Sequence, residues 1–211
     1  GVVVCAGAVA SPKLLMLSGI GPPDQLGEMG IMPIAMRAGV GSNLQDHAGV
    51  SATAETSMKT HTSRRNPLSA LALLFQFLVF GRGPLTASVG QLHGFIRSNA
   101  DQKFPNLQLI YSPTCIEKTK TGGRPYPGNA MTLTAGLCYS RSSGRIRLSS
   151  PDPADAPEIE HQLLSHPEDC ADLAEGLRWA LRLYRTHALS ASITRMLEPQ
   201  GDSWARAILE Q

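Results

Sequence analysis

From Gln91 onward the chain is a series of short apolar runs separated by Pro, Gly and Asn, and none is longer than a strand. Residues 92–97, 107–112, 131–139 and 145–149 are the candidates. Within the last, Arg145-Ile146-Arg147-Leu148 alternates as a half-exposed strand should. Turn residues rather than helices connect the runs, which predicts a mainly antiparallel sheet. The connection at 114–129, with Gly122-Gly123, Pro125 and Pro127, reads as a lid or surface excursion. Ser165, with Glu168 three residues on, fits a capping box. The helix it opens carries Leu173, Leu177, Ala180, Leu181 and Tyr184 on one stripe, with Arg178, Arg182 and Arg185 toward the other side.

The first half has a different rhythm. Residues 2–5, with the β-branched Val2, Val3 and Val4, read as a buried strand that Gly7 breaks. Ser11-Pro12 predicts a helix start, with Ser11 as N-cap and Pro12 in the first helical position. A second short helix is expected after Pro22-Pro23, ending at Gly30. A strand over 31–36 should follow, then a polar strand and mobile loop over 51–66. Residues 67–80 form the most apolar stretch. About 20 residues are needed to span a bilayer, so this one predicts a buried helix or, alternatively, a surface for a membrane or quinone pool.

Charge excludes some functions. A net charge of +2 without clustering argues against nucleic acid or an anionic membrane as a partner. Cys5, Cys115, Cys138 and Cys170 form no C-x-x-C pair and suit no zinc spacing, so reduced thiols in a cytoplasmic protein are expected. No histidine has a partner at helical i, i+4 spacing, and no metal site is expected.

Two segments carry a family resemblance. The run from Gly7-Ala8-Val9-Ala10-Ser11-Pro12 through Ser18-Gly19-Ile20-Gly21-Pro22 resembles the second signature of the glucose–methanol–choline oxidoreductases. Gly39-Val40-Gly41-Ser42-Asn43-Leu44-Gln45-Asp46-His47 is similar to the G-V-G-x-N-L-x-D-H that follows it there. Gly94-Phe95-Ile96-Arg97-Ser98, Ser143-Gly144-Arg145-Ile146-Arg147-Leu148 and Leu163–Asp169 resemble further family segments in the same order. The resemblance is nearest to the bacterial choline dehydrogenase and alcohol dehydrogenase branch.

That resemblance implies an α/β fold with α+β character. Residues 1–50 would be the tail of a doubly wound FAD domain, and 51–211 part of a substrate domain, with the family's C-terminal region starting near 141. It implies FAD as cofactor, beside Ala6, Gly7 and Ala8, whose small side chains admit a ligand or simply tight packing. Asn43, Asp46 and His47 read first as turn-fixing residues, with a flavin contact from Asn43 as the alternative. Gln91 and His93 fall where choline-specific relatives carry a glutamate and a glycine, and are assigned to the substrate pocket.

Both ends of the sequence read as cut within an element. No G-x-G-x-x-G and no active-site His segment is present, so no residue here is assigned a catalytic role. The parent protein is expected to oxidise an alcohol, with oxygen, a quinone or another group as electron acceptor. A cyanohydrin lyase of the same family, or a non-catalytic binding module derived from it, is the alternative.

Overall fold

A computed structural model describes residues 1–61, 67–119 and 122–199. The expectations for 62–66 and for a helical pattern at 205–211 lie outside the described residues. The first elements are α1 (Gly7–Leu17), β1 (Ile20–Gly21), α2 (Pro23–Glu28), β2 (Ala35–Met36), β3 (Ser42–Leu44), β4 (Gly49–Thr56) and α3 (Pro67–Phe80). After them come β5 (Leu92–Ile96), β6 (Leu107–Ser112), β7 (Ile116–Thr119), β8 (Gly122–Pro125) and β9 (Ala130–Leu137). The last are β10 (Gly144–Arg147), β11 (Glu158–Glu160), α4 (Pro167–Tyr184), α5 (His187–Ser190) and β12 (Ile193–Glu198). They cluster into two units: Gly1–Ala48 with Ser140–Asp169, and Gly49–Tyr139 with the chain from Cys170 on.

In the first unit β10 lies between β3 and β11, antiparallel to both, and this pairing groups residues 140–169 with the N-terminal segment. Beside this sheet β1 and β2 form a short parallel pair. Met16, Leu26 and Leu148 are buried together, with Leu17, Met29, Ile31 and Val40 packed on them. Helix α2 ends as expected at Gly30. There the Ile31 amide donates to Leu26 O (2.9 Å) and the Gly30 amide to Gly27 O (3.1 Å), the bond pair of a Schellman stop.

The N-terminus corrects the sequence reading. Residues 1–5 form no strand, and Val2 and Val3 are 92% and 87% exposed. A strand needs a neighbour for its amides and carbonyls, and none of the strands pairs with this segment. Helix α1 also starts earlier than predicted, at Gly7, so Pro12 lies inside it. Ser11 is not the N-cap; its Oγ accepts a hydrogen bond from the Ala6 amide (3.1 Å), closing the turn from inside.

The second unit is a five-stranded antiparallel sheet in the order β12-β4-β9-β6-β5. Alternation decides its two faces. Val50, Ala52, Ala54, Leu107, Leu109, Met131, Leu133, Ala135 and Leu137 are buried on one. Helix α4 packs there through Leu173, Ala174, Leu177, Ala180 and Tyr184, which bears out the predicted stripe except that Leu181 is half-buried. Tyr184 Oη lies 3.1 Å from Ala52 O and 3.0 Å from Met131 O, and burial raises its pKa.

Helix and sheet approach closely at Gly176, where an added Cβ would stand 2.7 Å from Ala135 Cβ. Neither atom is the end of a flexible side chain. Gly176→Ala is therefore expected to destabilise the protein by about 1–3 kcal/mol, against the ordinary gain from replacing a helical glycine. A urea melt checks this; a more stable variant would mean that α4 can retreat without loss.

Three expectations change here. The 114–129 connection is largely a hairpin, β7 paired with β8, rather than an open lid. Helix α4 starts at Pro167, so His166 and not Ser165 stands before it, and His166 Nδ1 accepts from the Glu168 amide (3.3 Å). The apolar run 67–80 is a helix with the predicted bounds, yet it has no buried residue. No helix among the described residues is long and apolar enough to cross a membrane.

Candidate functional site

In the first unit a cleft of about 300 Å³ opens between the start of α1, at Ala8 and Pro12, and the segment 41–45, with Ile146 of β10 against it. Ala8 and Asn43, from separate motifs, thus line one cavity. Ala6 and Gly7 are exposed at the helix entrance and do not line it. The amides of the first turn of α1 have no intrahelical acceptor. Pro12, lacking an N–H, gives the Ala8 carbonyl no i→i−4 donor. The chain therefore lines the cleft with small side chains and polar backbone.

The opposite wall depends on two unusual backbone positions. Gly41 has φ +82°, and a Cβ there would run into the Ile146 carbonyl oxygen. Its own carbonyl accepts from the Ile146 amide (2.7 Å). Asn43 takes φ +58°, a left-handed conformation that Asn tolerates better than most residues. Its Oδ1 accepts from Ser143 Oγ (3.1 Å). Asp46 Oδ1 accepts from the His47 amide (2.7 Å), a turn-fixing bond of the kind expected for this segment.

One group behind this wall gave no sequence signal. The carboxylate of Asp169, fully buried in the first turn of α4, accepts from the Arg141 amide (3.0 Å), the Ser142 amide (2.8 Å), Ser142 Oγ (2.6 Å) and Ser140 Oγ (3.0 Å). Burial alone would raise its pKa, but the donors from Ser142, Arg141 and Ser140 outweigh that and lower it to about 2. The loop it grips leads into Ser143 and β10, hence to Asn43 and Ile146. Asp169 thus fixes the loop that leads into β10.

Gln91 and His93 belong to the second unit, next to and within edge strand β5, on the face opposite α4. Gln91 Nε2 donates to His61 Nε2 (3.1 Å). His93 Nδ1 accepts from Gln108 Nε2 (3.0 Å), which leaves its Nε2–H to donate to Gly90 O (3.2 Å). Farther across this face Ser51 and Thr134 share a hydrogen bond (2.8 Å). His61 and Gln108 were not legible as site residues, because strand pairing and not sequence spacing brings them beside β5. Among the described residues no group of His, Cys, Asp and Glu could hold a metal, and all four cysteines are free thiols.

Family models described as GMC oxidoreductase match residues 1–49, with the N-terminal region, and 140–210, with the C-terminal region. The chain belongs to the GMC oxidoreductases. Both motif segments of the cleft fall within the first match, and Ile146 and Asp169 within the second. The chain is similar to an oxygen-dependent choline dehydrogenase of Chromohalobacter salexigens, 33% identical over 84% of this chain and 31% of the relative. An uncharacterised GMC-type oxidoreductase of Mycobacterium tuberculosis is 34% identical over 96% of this chain and 38% of the relative.

Among solved structures, a formate oxidase from Aspergillus oryzae superposes with a TM-score of 0.82 at 24% identity, covering 97% of this chain and 41% of that one. An FAD-dependent oxidoreductase from Chaetomium thermophilum gives 0.73 at 18%, over 94% and 40%. These likenesses establish the GMC fold, antiparallel sheets with helices built on to an FAD-binding fold. The chain spans about a third of the length of the curated relatives it matches.

Proposed function

We propose that the protein carrying this GMC chain is an FAD-dependent oxidoreductase that converts an alcohol to an aldehyde or ketone. The observation that carries this reading is the meeting of Ala8 and Asn43, 35 positions apart by their numbering, in one cleft with little side-chain bulk. The residues fit a flavin nucleotide there: first-turn amides of α1 to donate, the Ala8 carbonyl to accept, and Gly41 to keep the wall low. Bound FAD would supply the acceptor for the hydride that leaves the alcohol carbon.

Ala8 would hold the cofactor through its backbone and Asn43 through its side chain, with Ala6 and Gly7 flanking it from the exposed helix entrance. Gln91 and His93 would orient the substrate by hydrogen bonding, as a carboxamide and an imidazole. Cytoplasmic residence agrees with the free thiols, and the electron acceptor stays outside this reading. Among the named relatives, the choline dehydrogenases favour redox work over cyanohydrin cleavage or simple binding.

The test uses the full-length protein. Purified material should carry flavin absorbance that an alcohol bleaches under anaerobic conditions. Asn43→Gly preserves the left-handed turn and removes the carboxamide, so it should retain several-fold less flavin with its stability unchanged. Flavin that no alcohol reduces would overturn the oxidoreductase assignment, and full flavin retention by Asn43→Gly would remove Asn43 from the cofactor site.

A further inference from the structure

The polar side chains that line the cleft of the first unit, Ser42, Asn43 and Gln45, are each tied down at one end. Ser42 Oγ donates to Ala38 O (3.1 Å) and Gln45 Nε2 to Ser140 O (2.9 Å). Asn43 is held the other way round, by its oxygen. Ser143 Oγ donates to its Oδ1 (3.1 Å), and among the described residues its Nδ2 has no acceptor. Ser143 itself does not line the cleft. A hydroxyl that donates to the carboxamide oxygen decides which end of the amide is left over. Here that end is the NH2, which can only donate.

The backbone on both sides of this bond is fixed. Asn43 sits in a left-handed turn, and Leu44 beside it pairs with Gly144, the neighbour of Ser143. A Cβ at Gly144 would run into the Glu160 carbonyl oxygen, so the chain there lies hard against β11. On the other side of Ser143, the Asp169 carboxylate holds the Arg141 and Ser142 amides. A hydrogen bond between groups already held in place costs little ordering entropy, so this one orients the carboxamide although both residues are exposed.

We propose that Ser143 is a positioning residue for the cofactor: by occupying Oδ1 it presents Asn43 Nδ2 as a donor to an acceptor atom of the flavin nucleotide. The inference rests on the reading of the cleft as a flavin site. It adds a direction to the Asn43 contact and a residue from outside the motif that carries Asn43. Without the hydroxyl the amide turns over freely, and turned over it offers an oxygen to an acceptor that it repels.

The experiment titrates the full-length apoprotein with FAD and follows the flavin fluorescence. Ser143→Ala should raise the dissociation constant by about 3–10-fold, the weight of one oriented hydrogen bond. Ser143→Thr keeps the hydroxyl and should restore it. In an Asn43→Gly background Ser143→Ala should cost nothing more, because a residue that acts only through Asn43 has nothing left to act on. Asn43→Asp keeps the acceptor for Ser143 but replaces the NH2, and should weaken FAD by about tenfold or more.

Wild-type affinity in Ser143→Ala, with Asn43→Gly weakened, overturns the inference and leaves the flavin reading of the cleft standing. An equal loss from Ser143→Ala with and without Asn43 overturns it as well, because Ser143 then supports the loop and not the carboxamide. Asn43→Asp at wild-type affinity overturns the donor assignment. Unchanged FAD affinity in Asn43→Gly removes Asn43 from the cofactor site, and the role of Ser143 with it.

Discussion

Asp169→Ala is expected to lower the unfolding free energy by about 4 kcal/mol, because it strands buried donors that converge on one carboxylate. The Arg141 and Ser142 amides and the Ser142 hydroxyl would lose this acceptor, whereas the Ser140 hydroxyl could still donate to Ser142 O (3.1 Å). The pH dependence has a definite sign. The folded pKa of about 2 lies below the ordinary value of 3.8. The carboxylate's contribution is therefore complete above about pH 4 and drains away as pH falls toward 2. Allowing for partial screening by solvent, that window holds about 2 kcal/mol. Urea melts of wild type and Asp169→Asn between pH 7 and pH 2 check this. The gap between them should narrow on acidification, and a constant gap would show that Asp169 acts by packing and not by charge.

Gln91→Glu is expected to raise kcat/KM for choline by about 10–100-fold while lowering it for uncharged alcohols, which would reverse the preference expected of the native protein. A carboxylate facing a partly desolvated quaternary ammonium gains about 1.5–3 kcal/mol over a carboxamide dipole. Among the described residues the native face offers no such charge near β5. Glu55, whose register places it on the same face, lies on β4, three strands away or about 14 Å, and pairs with Arg195 at 3.2 Å. The intact protein should accordingly favour neutral aliphatic or aromatic alcohols. Steady-state turnover on choline and a panel of neutral alcohols, for wild type and Gln91→Glu, is the measurement. Native turnover of choline above every neutral substrate would show that Gln91 and His93 do not face the substrate.

Local chemistry made much of this protein legible before any coordinates. Strands β5 and β6, the stripe on α4 and the stop of α2 at Gly30 follow from periodicity and turn residues, because each is decided within a few residues of chain. The family resemblance put Ala8 beside a cofactor and read Asn43 first as a turn-fixing residue, with a flavin contact as the alternative; the structure sets both on one cleft. Where a segment needed a distant partner, sequence reasoning went astray. The β-branched Val2, Val3 and Val4 have strand propensity, yet among the described residues no strand lies alongside to take their hydrogen bonds. The apolar character of 67–80 predicted burial, yet nothing among the described residues covers it. Tertiary structure alone decided the rest: that β10 pairs with β3 and so returns residues 140–169 to the first unit, that Asp169 gathers a loop 27 positions before it, and that His61 and Gln108 stand beside Gln91 and His93. Composition and spacing carry no trace of such contacts, because the energy that selects them arises only when burial removes water from groups far apart in the chain.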